Sequence, residues 1–170
     1  MNIILIGMRG SGKTIVARLM AKRLDREFID MDQMIVKKNN MSIQKLVADC
    51  GWDYFRKKED ETVKELSQRN NTVIATGGGV VINPENVRAL KKHGKFVYLQ
   101  APVEILLQRI KIDLERPPLT DKKSPEEEME ELLKQRKKLY ENAADVKIDT
   151  EALSPEEIAD IIIEKLKVKL

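Results

Sequence analysis

The tightest constraint on this chain is the octapeptide Gly7-Met8-Arg9-Gly10-Ser11-Gly12-Lys13-Thr14, set between an apolar run at residues 3–6 and a segment of helical period. It fits the pattern Gly, four residues, Gly-Lys-Ser/Thr without a mismatch. Its glycines open backbone dihedrals that turn consecutive N–H groups inward, and a helix starting near Lys13 adds the positive end of its dipole. Such a loop holds phosphate. Gly7, Gly10, Ser11 and Gly12 are expected to form the cradle, Lys13 to reach the outer phosphates of a nucleotide, and the Thr14 hydroxyl to ligate the Mg²⁺ that bridges them. The plain alternative is a glycine-rich strand-to-helix turn. Against it stand the buried-strand pattern before the motif and, after it, an amphipathic helix with Val16, Met20 and Leu24 on one face.

Short β-branched runs at residues 3–6, 27–30, 72–75, 95–99 and 146–148 alternate with longer helical segments. That rhythm reads as an α/β domain whose parallel sheet is covered on both faces. A chain of 170 residues has room for one such domain, so a single kinase-sized unit over 1–170 is expected. Asn83-Pro84 should open a helix that Gly94 closes after His93. Ser124-Pro125-Glu126-Glu127 and Ser154-Pro155-Glu156-Glu157 each set a capping serine three residues before a glutamate and should start helices. Just before Ser124, residues 111–123 hold two prolines and many charges, and read as a surface lid spanning about 111–124.

Composition removes several chemistries. With 31 Lys and Arg against 28 Asp and Glu, the net charge of +3 is too even to imply nucleic acid or a membrane surface as partner. One cysteine and one histidine exclude an internal disulfide, a His-rich metal site and a Ser-His-Asp triad. Cys50 is expected to be a buried thiol and His93 a helix-end residue. The opening residues carry neither a basic leader nor a long apolar run, so the reading is a cytoplasmic protein without a signal peptide or span.

A phosphate loop alone does not choose the acceptor. Behind it come Asp30-Met31-Asp32 at the end of the second strand, Phe55-Arg56 four residues after Gly51, Gly77-Gly78-Gly79 after the third strand, Arg116-Pro117, and Arg136 four residues before Tyr140. In this order and spacing they resemble the shikimate kinase family over residues 3 to about 155. The resemblance implies a three-layer α/β/α P-loop kinase with a five-stranded parallel sheet of order 2-3-1-4-5. It also implies ATP and Mg²⁺ as cofactors, shikimate as the small-molecule partner, and a monomer that phosphorylates the acid's 3-hydroxyl.

By the same resemblance Asp32 contacts the attacking hydroxyl as base or orienter, Asp30 holds Mg²⁺ through water, and residues 32–60 form the acid-binding region. Arg56 and Arg136 grip the acid's carboxylate, a task that suits forked guanidinium groups. Glu59 steadies Arg56, Gly77, Gly78 and Gly79 offer backbone N–H groups to the acid, Arg116 brings charge to the transferring phosphoryl group, and Arg109 and Pro155 flank adenine. Two positions depart from the family pattern. Trp52 stands where a glutamate is common, and its favoured reading is burial; Pro118 stands where the lid has leucine. The open alternatives are a gluconate or nucleoside monophosphate kinase of similar architecture, and a non-catalytic nucleotide sensor.

Overall fold

The computed structural model of the protein describes residues 1–110 and 124–168. Along them run β1 (Asn2–Ile6), α1 (Lys13–Arg23), β2 (Glu27–Asp30), α2 (Met31–Asn39), α3 (Ile43–Leu66), β3 (Thr72–Ala75), a 3-10 turn (Val80–Ile82), α4 (Pro84–Lys91), β4 (Gly94–Gln100), α5 (Val103–Ile110), α6 (Pro125–Ala143), β5 (Val146–Asp149) and α7 (Pro155–Lys165). All strand pairs are parallel, in the order β2-β3-β1-β4-β5 that the family resemblance implies.

The layers follow from the two-residue period of a strand. In β1, Ile3 and Leu5 pack with Val16, Ala17 and Met20 of α1 and Ile158 and Ile162 of α7. Ile4 and Ile6 face the other way, toward Val63 and Leu66 of α3, Leu90 of α4, and Leu132 and Tyr140 of α6. Every residue of β1 is buried, which is why its sequence reads as an unbroken apolar run. The helix that follows β1 covers one face and α4, after β3, covers the other. The chain therefore parts to opposite sides at the carboxyl ends of these two adjacent strands, the crevice where open α/β sheets bind ligands.

A smaller core of Ile35, Ile43, Leu46 and Phe55, with Trp52 against it, fixes the corner between α2 and α3. Within α3 the helix breaks at Gly51, whose φ of 82° lies in the left-handed region. The break explains a misreading: Cys50 is exposed rather than a buried thiol. The first leg's buried positions, Ile43 and Leu46, stop a turn short of the break, so Cys50 has no core to enter. Gly94 also differs from expectation. The preceding helix ends at Lys91 and Gly94 is the first residue of β4, where a Cβ would collide with the Ile4 side chain and lie 3.1 Å from the Leu90 carbonyl. Close approach of helix to strand, not a helix stop, requires glycine there.

The three serine and asparagine caps hold. Asn83 accepts from Glu85 N at 3.0 Å, Ser124 from Glu127 N at 3.1 Å, and Ser154 forms a full capping box with Glu157. One buried polar group had no sequence signature. Asn2 Oδ1 accepts from Thr72 N at 3.1 Å and Thr72 Oγ1 at 3.0 Å, while its amide donates to Arg69 O at 2.8 Å, tying the start of β1 to that of β3. Replacing Asn2 by Ala leaves these buried groups without a partner and should lower the free energy of unfolding in urea by about 2–3 kcal/mol; an unchanged midpoint and slope would show that water satisfies them.

Candidate active site

At the carboxyl end of β1 the chain turns through Gly7 (φ 147°), Gly10 (φ 82°) and Gly12 (φ 89°), all at positive φ. Two of them also lack room for a side chain. A Cβ on Gly7 would strike the Leu99 carbonyl and lie 2.9 Å from Ser11 Oγ, and one on Gly10 would lie 2.6 Å from the Leu106 carbonyl. Gly12 caps α1 in the left-handed conformation, and Lys13 begins the helix. The Lys13 ammonium donates to Gly7 O at 3.0 Å and Met8 O at 2.8 Å, so its charge lies folded over the loop. Inward amides, a helix start and one buried ammonium make an anion cradle.

Beside it, Thr14 Oγ1 donates to Asp30 Oδ2 at 3.1 Å. The other oxygen of Asp30 accepts from Gln33 N at 3.1 Å and caps α2. Asp30 ends β2, whereas Asp32 lies in the first turn of α2, so a strand's period of two does not relate them. The turn from strand into helix brings each to the same edge of the sheet. A hydroxyl and a carboxylate of this kind fit Mg²⁺, which prefers hard oxygen donors and keeps water and phosphate among its ligands.

On the far side of the crevice, four charged side chains meet at the glycine run. A Cβ on Gly77 would lie 2.8 Å from Glu59 Oε1 and 3.0 Å from Asp32 Oδ1. A Cβ on Gly79 would overlap the Arg56 guanidinium, and one on Gly78 would lie 3.6 Å from Arg136 Nη1 and 3.5 Å from Gly7 O. None of the three has positive φ. Gly77 and Gly79 are glycine because charged groups lie where their Cβ atoms would be, whereas a Cβ on Gly78 would make ordinary contacts.

Arg56 donates to Glu59 Oε2 at 2.7 Å, and its guanidinium lies 5.7 Å from the Trp52 ring centroid and 5.4 Å from that of Phe55. Trp52 is only half-buried, against the expectation of burial, because its ring covers Arg56 and meets Phe55 edge-on at 5.6 Å. Cation–π contact and one carboxylate thus hold the guanidinium in a single orientation. The Glu59 side chain is 2% exposed. Burial raises its pKa, and the Arg56 and Arg136 guanidinium groups pull it back down. Arg136, 7% exposed, comes from α6, as does Tyr140 one turn later. Tyr140 is fully buried, stacks on Tyr98 at 5.0 Å, and its hydroxyl is pushed up to about 12 by burial, against the pull of Arg136.

The third wall faces the other end of the cradle. Arg109, near the end of α5, donates through Nη1 to Thr150 Oγ1 at 2.9 Å and through Nη2 to Thr150 O at 2.8 Å. Thr150, fully buried, donates to Gln100 O at 3.1 Å. Pro155 begins α7 a few residues on. Thr150 gave no signal in the sequence, since its partners are a distant arginine and a backbone carbonyl. Arg116, Pro118 and the expected lid at 111–123 lie outside the described residues.

A phosphate cradle with a lysine and a metal-type hydroxyl, facing an arginine-lined pocket across the switch point of a parallel sheet, defines a P-loop small-molecule phosphotransferase. The family model described as shikimate kinase matches residues 9–167. A shikimate kinase from Thermodesulfovibrio yellowstonii is 44% identical over 164 residues, covering 96% of this chain and 94% of that protein. Among solved structures, a shikimate kinase from Acinetobacter baumannii in complex with shikimate superposes with a TM-score of 0.92 at 39% identity, over 99% of this chain and 94% of that one. One from Aquifex aeolicus gives 0.85 at 38% identity, over 98% and 96%. This chain belongs to the shikimate kinase family, and is an ATP-dependent kinase that works with Mg²⁺.

Two outcomes test the geometry. Glu59 has a folded pKa above its ordinary 4.5, so the native state holds a proton that the unfolded chain has released, and stability falls as pH rises from that value. Urea unfolding of the wild type relative to Glu59→Gln, between about pH 4 and pH 7, should show the wild type losing ground as pH rises; parallel curves would give Glu59 an ordinary pKa. Thr150→Val removes one of the two acceptors orienting Arg109 and should raise KM for ATP by about three- to tenfold while leaving KM for the acid within twofold. An equal rise in both would make Thr150 a general packing residue.

Proposed function

We propose that this chain transfers the γ-phosphoryl group of ATP to the 3-hydroxyl of shikimate, using one kinase domain whose residues 32–60 form the acid-binding region. The observation that carries the reading is the contact between the two halves of the site at Gly78. A Cβ on Gly78 would meet both Arg136 Nη1 and the Gly7 carbonyl, so an acid held by Arg136 sits close to the phosphate loop. The 39% identical relative solved with shikimate supports the identity of that acid.

Each residue then has one task. Gly7, Gly10, Ser11 and Gly12 hold the phosphates through backbone N–H groups, and Lys13 leaves its carbonyl partners to neutralise the outer phosphate oxygens. Thr14, and Asp30 through water, would hold Mg²⁺, which would supply positive charge against that developing on the transferring group. Arg56 and Arg136 clasp the carboxylate, Glu59 and Trp52 keep Arg56 in place, and Gly77–Gly79 offer N–H groups to the ring. Asp32, its Oδ1 buried beside Gly77, orients the attacking hydroxyl and accepts its proton. Arg109 and Pro155 flank the adenine. The enzyme works as a monomer in the cytoplasm, on small molecules alone. Among the described residues no helix is long and apolar enough to cross a membrane.

ADP release is expected to rise when shikimate joins ATP and Mg²⁺, and not with gluconate or a nucleoside monophosphate. Asp32→Asn should lower turnover by roughly 10²–10⁴-fold with ATP binding near normal. Release that ignores shikimate would reject the reaction, and a fully active Asn variant would reject the role of Asp32 alone.

A further inference from the structure

The glycine run has little of its own to keep its shape, since three residues without Cβ atoms sample far more backbone conformations than an ordinary turn. Its carbonyls reveal how it is held. Gly77 O accepts from Val80 N at 3.3 Å and Gly79 O from Ile82 N at 3.0 Å, both within the 3-10 turn that follows. Gly78 O has a different anchor, the Tyr140 hydroxyl of α6, sixty-two residues away in sequence. The same hydroxyl lies 3.5 Å from the sulfur of Met8 in the phosphate loop. One buried phenol thus touches both ligand-binding loops.

With all three carbonyls accepting from within the protein, the run's N–H groups are what it can offer a ligand. The peptide between Gly78 and Gly79 is trans, so its N–H points opposite to its C=O. A carbonyl turned toward α6 therefore presents the Gly79 N–H on the side away from α6. The stack of Tyr140 on Tyr98 leaves the phenol no room to follow a flipping peptide.

We infer that Tyr140 is a positioning residue for the acid: its hydroxyl fixes the Gly78–Gly79 peptide and holds the acid-binding glycines in register with the phosphate loop at Met8. This role rests on the acid site proposed above. Its hydroxyl also meets the Arg136 guanidinium, but whereas Arg136 meets the acid's charge, Tyr140 acts on the acid by fixing the groups that do.

Tyr140→Phe removes only the hydroxyl and keeps the stacked ring. KM for shikimate should rise about five- to tenfold, while KM for ATP stays within twofold, as expected from losing one buried hydrogen bond that shapes one site. Tyr98→Phe alters the partner ring without touching Gly78 and should leave both constants unchanged. Equal KM values in wild type and Tyr140→Phe, a parallel rise for ATP, or the same effect from Tyr98→Phe would overturn the role. A second measurement needs no variant. With ¹⁵N-glycine label the chain carries eight glycine amides, and that of Gly79 should shift on adding shikimate to the wild type; an unmoved Gly79 resonance would also overturn it. Failure of the acid site itself would read differently, as a wild type whose ADP release ignores shikimate.

Discussion

The structure depends on one short path, the six residues between the end of β1 and the start of α1. β1 is buried on both faces, so its end cannot shift, and the carbonyl of Leu99 from β4 closes on Gly7 too tightly for any side chain. From this fixed point the backbone must reverse its amides inward and still enter a helix. Positive φ at three glycines achieves that turn, and the packing of Val16, Ala17 and Met20 on Ile3 and Leu5 holds α1 at the required angle. The phosphate cradle is therefore a by-product of where the core ends. Its preorganisation resides in the sheet, and Lys13 lies folded over it on the Gly7 and Met8 carbonyls.

The far side of the crevice is built differently. No single element supplies it: Asp32 comes from α2, Arg56 and Glu59 from α3, the glycines from the end of β3, and Arg136 and Tyr140 from α6. The absence of side chains at Gly77 and Gly79 lets Asp32, Glu59 and Arg56 close on one stretch of backbone, which Arg136 and the Tyr140 phenol meet at Gly78. The α2–α3 corner has its own small core, separate from the two that sandwich the sheet. Arg56 and Glu59 lie between that small core and Val63 and Leu66, through which α3 enters the main core, while Arg136 is rooted in the main core beside Tyr140.

These differences decide what a reader of the sequence can see. The phosphate loop is legible because all its parts are contiguous, and the strands because burial on both faces makes them apolar throughout. Helix starts at Asn83, Ser124 and Ser154 are legible because a cap acts over three residues. Arg56 and Arg136 sit in charged runs that look like ordinary solvated helix faces, and only their resemblance to a family's spacing singles them out. Tyr140, Asn2 and Thr150 bond to backbone 62, 70 and 50 residues away respectively, and no local pattern encodes such a partner. The misreadings at Cys50 and Gly94 share that cause. A helix break or a crowded strand start is decided by what packs against it.

Charge decides what the cluster at the glycines can accept. Its four charged groups, Arg56, Arg136, Glu59 and Asp32, cancel when both carboxyls are ionised, in a setting where Glu59 is 2% exposed and Arg136 7% exposed. An uncompensated buried charge is costly, and burial pushes Glu59 toward its protonated form, which leaves the two guanidinium groups short of counter-charge. A carboxylate arriving between them would restore the balance, and a neutral sugar would not. The charge that this cluster shows a ligand thus turns on the protonation of one buried carboxyl.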